Sequence, residues 1–377
     1  MLYRLYMPLI LLLSSALEAR LSTRLLYPHK MVINVAVADL RSAPEAVLDH
    51  VKLPTSDLTN PQQETQLLLG EQVLAQEQFT DTFGKKWLYV YTLQQDHFSF
   101  MLGWHKYRGW IQADQATPVS QFSTCNLVVK NLHAPLFDHH KNTILTVSIG
   151  TRFMGIKDSV TNLWQVTLPD GKTAWIHDND LYHVTPTIQE TETTLRSNIV
   201  AAALMFFGTF YSWGGRSAQS DEWQISSVDC SALINLAFLA NGLAIPRMSN
   251  DQYLTAHKIK HGVDLKPGDL VLFDPVHKDR NPHHMTHVMM YIADDLLLEA
   301  TFAGESKIRT ISFQERIGKR PEDTCSGDIT QTILIGNTID DTEYFVYFCS
   351  YCNSPQTVQR LRDNAIEPTW TPEMLNN

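Results

Sequence analysis

The feature that most constrains this chain is a change of pattern near residue 190. Before it lie short strand-like runs broken by turn residues; after it come helices and then strands. Lys85–Leu93 (KKWLYVYTL) is rich in aromatic and β-branched residues and follows Gly84, as a strand would. Gly109-Trp110-Ile111 closes this first stretch. A similar layout recurs from about Gln121 to Val184. Thr146–Ile156 is strand-like, and Leu163–Thr167 and Lys172–Ile176 flank the turn signal Pro169-Asp170-Gly171. Ala174-Trp175-Ile176 echoes the earlier Gly-Trp-Ile. These patterns predict two small all-β barrels, at 25–120 and 121–186. Thr187–Arg196 is polar and acidic, a linker running into a helix. Ser197–Phe207 is helical and ends at Gly208; Ser231–Ala240 is a second helix, ended by Asn241-Gly242. Leu270–Phe273, His287–Ile292, Leu296–Glu299 and Tyr344–Phe348 read as strands. Helices first and an antiparallel sheet afterwards predict an α+β domain over 190–352. The polar tail, 353–377, carries Pro355, Pro368 and Pro372 and is expected to be irregular.

The formal net charge of −10 and the lack of a long basic run give nucleic-acid binding no electrostatic support. Near the N-terminus, Arg4, the apolar run Met7–Leu13 and the small residues Ser14 and Ala16 predict a secretory signal peptide at 1–19. That run is short for a membrane span, so an exported, periplasmic or extracellular protein without stable membrane insertion is expected. A monomer is expected. Cys125, Cys230, Cys325, Cys349 and Cys352 are an odd set, which leaves at least one thiol free or intermolecular. Cys349 and Cys352 form a lone C-x-x-C, reduced or disulfide-bonded, with weak support for a metal.

Val228-Asp229-Cys230-Ser231-Ala232-Leu233 carries the chemistry. Asp229 is a favoured N-cap, which puts Cys230 in the first helical turn. There the helix dipole and free N–H groups favour a thiolate, the reactive form of a cysteine nucleophile. The same N–H groups suit the oxyanion of a tetrahedral intermediate. A thiol needs a base, and His287 opens a strand whose mouth can aim the ring into a cleft. Glu299 ends the next strand; joined through Asp294-Asp295, the two would be antiparallel neighbours, bringing Glu299 close to His287 to fix its tautomer.

These residues resemble those of NlpC-type cell-wall cysteine peptidases. Phe206-Phe207-Gly208-Thr209-Phe210-Tyr211-Ser212-Trp213-Gly214-Gly215 resembles their helix end and Y-x-W-G-G signature. Asp229-Cys230-Ser231-Ala232-Leu233 resembles their D-C-S-G nucleophile motif. Leu265-Lys266-Pro267-Gly268-Asp269-Leu270 is similar to their L-x-P-G-D-L turn, and His287-Val288 to the strand that carries the base. Upstream, Glu64-Thr65-Gln66, Gly70-Glu71 and Tyr107-Arg108-Gly109-Trp110 resemble the bacterial SH3-type barrels of the γ-D-glutamyl-L-diamino-acid endopeptidase subgroup. The resemblance implies a papain-like catalytic domain behind two SH3-like barrels, with Cys230, His287 and Glu299 catalytic and no metal or organic cofactor. It implies that Tyr211, Asp229, Ser231 and Ser249 contact the substrate, and that Tyr107 and Glu64 close the site from the first barrel. The implied partners are peptidoglycan-derived peptides, short and with a free N-terminal L-Ala. A lytic endopeptidase on intact peptidoglycan and a non-catalytic wall-binding protein are the alternatives.

The chain departs from that pattern in several places. Extra residues, among them Asp221, Glu222 and Trp223, stand between Gly215 and Asp229 and lengthen a loop over 216–228. Ala232 and Met289 replace usual glycines. Glu299 stands where the family usually has a neutral residue.

Overall fold

The computed structural model describes residues 23–44, 62–218, 227–276, 284–302, 306–331 and 343–367. The expected leader at 1–19 and residues 219–226 of the lengthened loop lie outside them. No helix among the described residues is long and apolar enough to cross a membrane.

The first unit is all-β. Its strands are β1 (Thr23–Ile33), β2 (Val37–Arg41), β3 (Gln63–Leu68), β4 (Gln72–Thr80), β5 (Lys86–Ser99), β6 (Gly103–Gln112) and β7 (Ala116–Pro118). They form one antiparallel sheet in the order β3-β2-β6-β5-β4-β1-β7. Alternate residues, among them Leu40, Val73, Val90 and Ile111, fill its core, as the two-residue period of a strand requires.

The second unit contains β8 (Leu127–Val129), β9 (His133–Phe137), β10 (Thr143–Ser148), β11 (Arg152–Phe153), β12 (Gly155–Lys157), β13 (Leu163–Thr167), β14 (Thr173–His177) and β15 (Leu181–His183). They make a five-stranded and a three-stranded sheet around Leu127, Val147, Val166 and Ile176. Thr146–Ile156 is not one strand. Gly150 turns the chain at φ +85°, a conformation that glycine adopts without strain. The Trp-Ile echo has a structural counterpart: β6 and β14 each run into a single 3₁₀ turn, at Ala113–Gln115 and Asp178–Asp180, and then a three-residue strand.

The third unit begins with α1 (Glu192–Leu204), capped by Thr191, whose hydroxyl accepts from Thr194 N–H. α2 (Cys230–Leu239) follows, then α3 (Ser249–Thr255), β16 (His257–Ile259), β17 (Leu270–Pro275), β18 (His287–Ala293), β19 (Leu296–Ala300), β20 (Ile308–Ser312), α4 (Phe313–Ile317), β21 (Asp328–Gln331) and β22 (Glu343–Ser350). The sheet runs β16-β22-β17-β18-β19-β20, with β21 on β22. α2 is buried from Ser231 onward and, Ser231 and Asn235 apart, apolar there, as a helix enclosed on all sides must be. Its core also takes in Leu68 of the first unit and Ile149 of the second.

The tail corrects an expectation. Pro355–Ile366 forms α5 rather than irregular chain. Ser354 caps it by accepting from Thr357 N–H, and Pro355 occupies the first turn, where a missing N–H costs nothing. Val358, Leu361 and Ala365 are buried, the last against Leu239 of α2 and Val128 of the second unit.

Candidate active site

Asp229 caps α2 by accepting from Ala232 N–H at 2.8 Å, so Cys230 stands at the helix mouth as the cap predicts. It is half-buried and a free thiol. The backbone N–H of Val288 points at its sulfur, so α2 meets β18 one residue beyond His287. The helix mouth does not act on the sulfur alone. Burial, and then the adjacent Asp229 charge, push the thiol up to about 12 against the pull of that N–H and of Arg247.

His287 opens β18, and its Nε2 lies 3.1 Å from Glu299 Oε2. The hairpin turns on Asp294 and Asp295, both at positive φ (45° and 66°). Pairing of Met290 with Leu298 and of Tyr291 with Leu297, continued, sets Glu299 opposite Met289 and diagonal to His287 on the same face. Glu299 is fully buried. Burial raises its carboxyl, but the His287 bond, Arg316 and Arg309 outweigh that and hold it well below its ordinary 4.5. Ala232 and Met289, which stand for glycines, are both buried without exposure, Met289 among Phe273, Leu297 and Phe313.

The expected substrate residues fall into two groups. Asp229 is ion-paired to Arg247, Oδ2 to Nη2 at 2.6 Å and Oδ1 to Nη1 at 2.9 Å. Ser231 donates to Asp229 at 3.1 Å and accepts from Arg247 at 2.9 Å. From the first unit, Tyr107 donates to Glu64 at 3.3 Å, and Tyr107 lies within electrostatic reach of Arg247 and Asp229. Among the described residues no cation pairs with Glu64. Tyr211 is buried, its backbone bridged to Val228 and its ring 6.1 Å from Phe302. Ser249 stands apart: its hydroxyl donates to Met285 carbonyl at 2.8 Å, bracing the segment two residues ahead of His287.

Sequence reasoning missed Arg247, Arg309 and Arg316. Arg247 is fully buried and holds Thr65 of the first unit as well as Asp229. It lies in the Pro246-Arg247-Met248-Ser249 stretch already marked by Ser249, but its partners are distant in sequence. Arg309 and Arg316 lie outside every motif.

A helix-mouth cysteine packed on a sheet whose adjoining strand opens with a histidine defines the papain-like class of cysteine peptidases. Residues 208–320 match the model of the NlpC/P60 family, so the third unit is an NlpC/P60 domain. Over 260 residues the chain is 28% identical to the γ-D-glutamyl-L-lysine dipeptidyl-peptidase of Bacillus cereus, covering 66% of this chain and 71% of that protein. It is 26% identical to dipeptidyl-peptidase 6 of Lysinibacillus sphaericus, over 63% of this chain and 81% of that one. With peptidoglycan endopeptidase RipB of Mycobacterium tuberculosis it shares 32% identity over 120 residues, 30% of this chain and 46% of RipB. The crystal structure of an NlpC/P60 family protein from Bacillus cereus has the same fold, with TM-score 0.58 and 24% identity over 75% of this chain and 94% of that one.

Proposed function

We propose that this protein is an exported cysteine peptidase that hydrolyses the bond between γ-D-glutamate and the diamino acid in peptidoglycan stem peptides, preferring short peptides with a free N-terminal L-Ala. The observation that carries the substrate class is the contrast between two carboxylates. Asp229 is neutralised by Arg247, whereas among the described residues Glu64 meets the Tyr107 hydroxyl and no cation, so it is a carboxylate able to receive an ammonium. On this reading the first two units are SH3-like barrels, and the first walls off the far side of the cleft. Tyr211, Asp229, Ser231 and Ser249 line the acyl side.

His287 Nδ1 takes the proton of Cys230, whose thiol form burial favours, as the sulfur attacks the γ-carbonyl. The imidazolium then protonates the leaving amine, and water releases the acyl dipeptide. Products from a panel of stem peptides, read by mass spectrometry, test this. The tripeptide should lose its diamino acid, and Cys230→Ala should abolish that release. N-acetylation of the L-Ala, or Glu64→Gln, should raise KM about 10- to 100-fold, the worth of one charge-assisted hydrogen bond. Release that ignores both changes, or digestion of intact sacculi with free peptide spared, would instead support a lytic endopeptidase.

A further inference from the structure

We propose that Arg309 and Arg316 are positioning residues that decide which nitrogen of His287 carries its proton, acting through Glu299. The proposal rests on the reading of Cys230 and His287 as nucleophile and base.

Three guanidinium N–H groups and one imidazole nitrogen converge on one fully buried carboxylate. Glu299 Oε1 accepts from Arg309 Nε at 3.1 Å and Nη2 at 2.8 Å. Glu299 Oε2 accepts from Arg316 Nε at 3.1 Å and meets His287 Nε2 at 3.1 Å. Arg316 also lies over the Phe273 ring at 4.6 Å, and that ring is 6.2 Å from the His287 ring. The clamp therefore grips both the orienter and a neighbour of the base.

The consequence is chemical. A buried carboxyl with no cation takes up a proton. It then has a donor of its own and accommodates either imidazole tautomer. An ionised carboxylate accepts only. Held ionised by two guanidiniums, Glu299 can bond His287 Nε2 only if that nitrogen bears the hydrogen. Nδ1 is then the lone-pair nitrogen, free to take the Cys230 proton. The clamp also explains how a carboxylate serves where the family usually has a neutral residue: two cations offset its charge. Among the described residues, the ionisable groups arrayed about His287 are Glu299 on β19 with Arg309 on β20 and Arg316 on α4 behind it, while Cys230 on α2 meets the backbone N–H of the next residue, Val288. Asp274 follows Phe273, the residue paired with His287 from β17.

The test uses the full chain with Arg309→Met, Arg316→Met, the double variant and Arg309→Lys. Ring ¹⁵N shifts of His287 report the tautomer without any turnover, and the pH dependence of kcat/KM on the tripeptide reports its effect. The wild type should show the Nε2–H form at neutral pH. The double variant should gain the Nδ1–H form and lose about 10- to 100-fold in kcat with KM nearly unchanged. Arg309→Met should move both readouts the same way by less, and Arg309→Lys should restore them. Because Arg309 is one-third exposed, its single variant decides the matter if the double one does not fold. An Nδ1–H wild type, or folded variants whose tautomer and profile match the wild type and differ only in Tm, would overturn the proposal. A wild type inert on every stem peptide but with the expected ¹⁵N behaviour would instead count against the substrate assignment.

Discussion

At the scale of single residues, the site is governed by which charges are already spent. Cys230 sits at a helix mouth, which favours the thiolate, but burial and the Asp229 charge oppose it and push the thiol up to about 12. Alkylation of Cys230 by iodoacetamide should therefore depend on His287. In His287→Ala the rate should be far below wild type at neutral pH and climb steadily as pH rises into the alkaline range. A variant that alkylates like wild type would show that the ring does not serve the sulfur. Glu299 makes a second prediction. Its folded carboxyl lies below the ordinary 4.5, so its stabilisation is complete above that value and is lost as pH falls beneath it. Glu299→Gln should flatten the acid side of the stability curve. It should also cost about 3–5 kcal/mol near neutrality, because it strands buried Arg316 and half-buried Arg309. Denaturant midpoints across the pH range would measure both effects. The placement of Cys230 at a helix start, His287 at a strand start and Glu299 beside it was legible because cap, strand mouth and hairpin are local patterns. Arg247, Arg309 and Arg316 were not, because an arginine inside an ordinary sequence reveals nothing of the carboxylate that folding brings to it.

At the scale of elements, the boundaries that sequence located well are those with local punctuation. Leu163–Thr167 is a strand as expected, and α2 starts one residue before the expected Ser231 because Asp229 announces it. Where a signal has two meanings the reading failed. Pro355 in a polar tail suggests irregular chain, but after Ser354 it is a helix start. Gly150 lies inside a strand-like run, and only the close packing of this turn on α2 shows its purpose: a Cβ there would stand 2.7 Å from Leu236 Cδ2. Gly214 plays the same part beside the cleft. It is at φ +68°, and a Cβ would stand 2.8 Å from the Gln63 carbonyl, one residue before Glu64. Gly214→Ala should cost about 1–3 kcal/mol and, by displacing Gln63, raise KM for peptides with a free N-terminus. Thermal melts with steady-state kinetics would show it, and an unchanged KM would mean that the Gln63 approach does not set the position of Glu64.

At the scale of the whole molecule, the three units share one interior rather than meeting as separate bodies. Leu68 and Ile149 enter the core of the third unit, and α5 closes over both that unit and the second. Ending the chain at residue 350 should cost more than about 3 kcal/mol, through loss of Val358, Leu361 and Ala365 from their packing. Unfolding of the full chain should be one transition by both near- and far-ultraviolet dichroism, and two well-separated transitions would contradict the shared interior. One joint among the three units is polar. Glu71 of the first unit lies 3.0 Å from Arg216 of the third and 3.6 Å from Arg152 of the second, with Glu71 and Arg216 buried and Arg152 nearly so. An exchange that brought in a first unit lacking an acid at that turn would leave two guanidiniums facing each other without a counter-ion. The units therefore cannot be shuffled like beads on a string: residues far from the cleft must change in concert, and any engineered change of specificity has to be made within this chain rather than by grafting a new front end onto it.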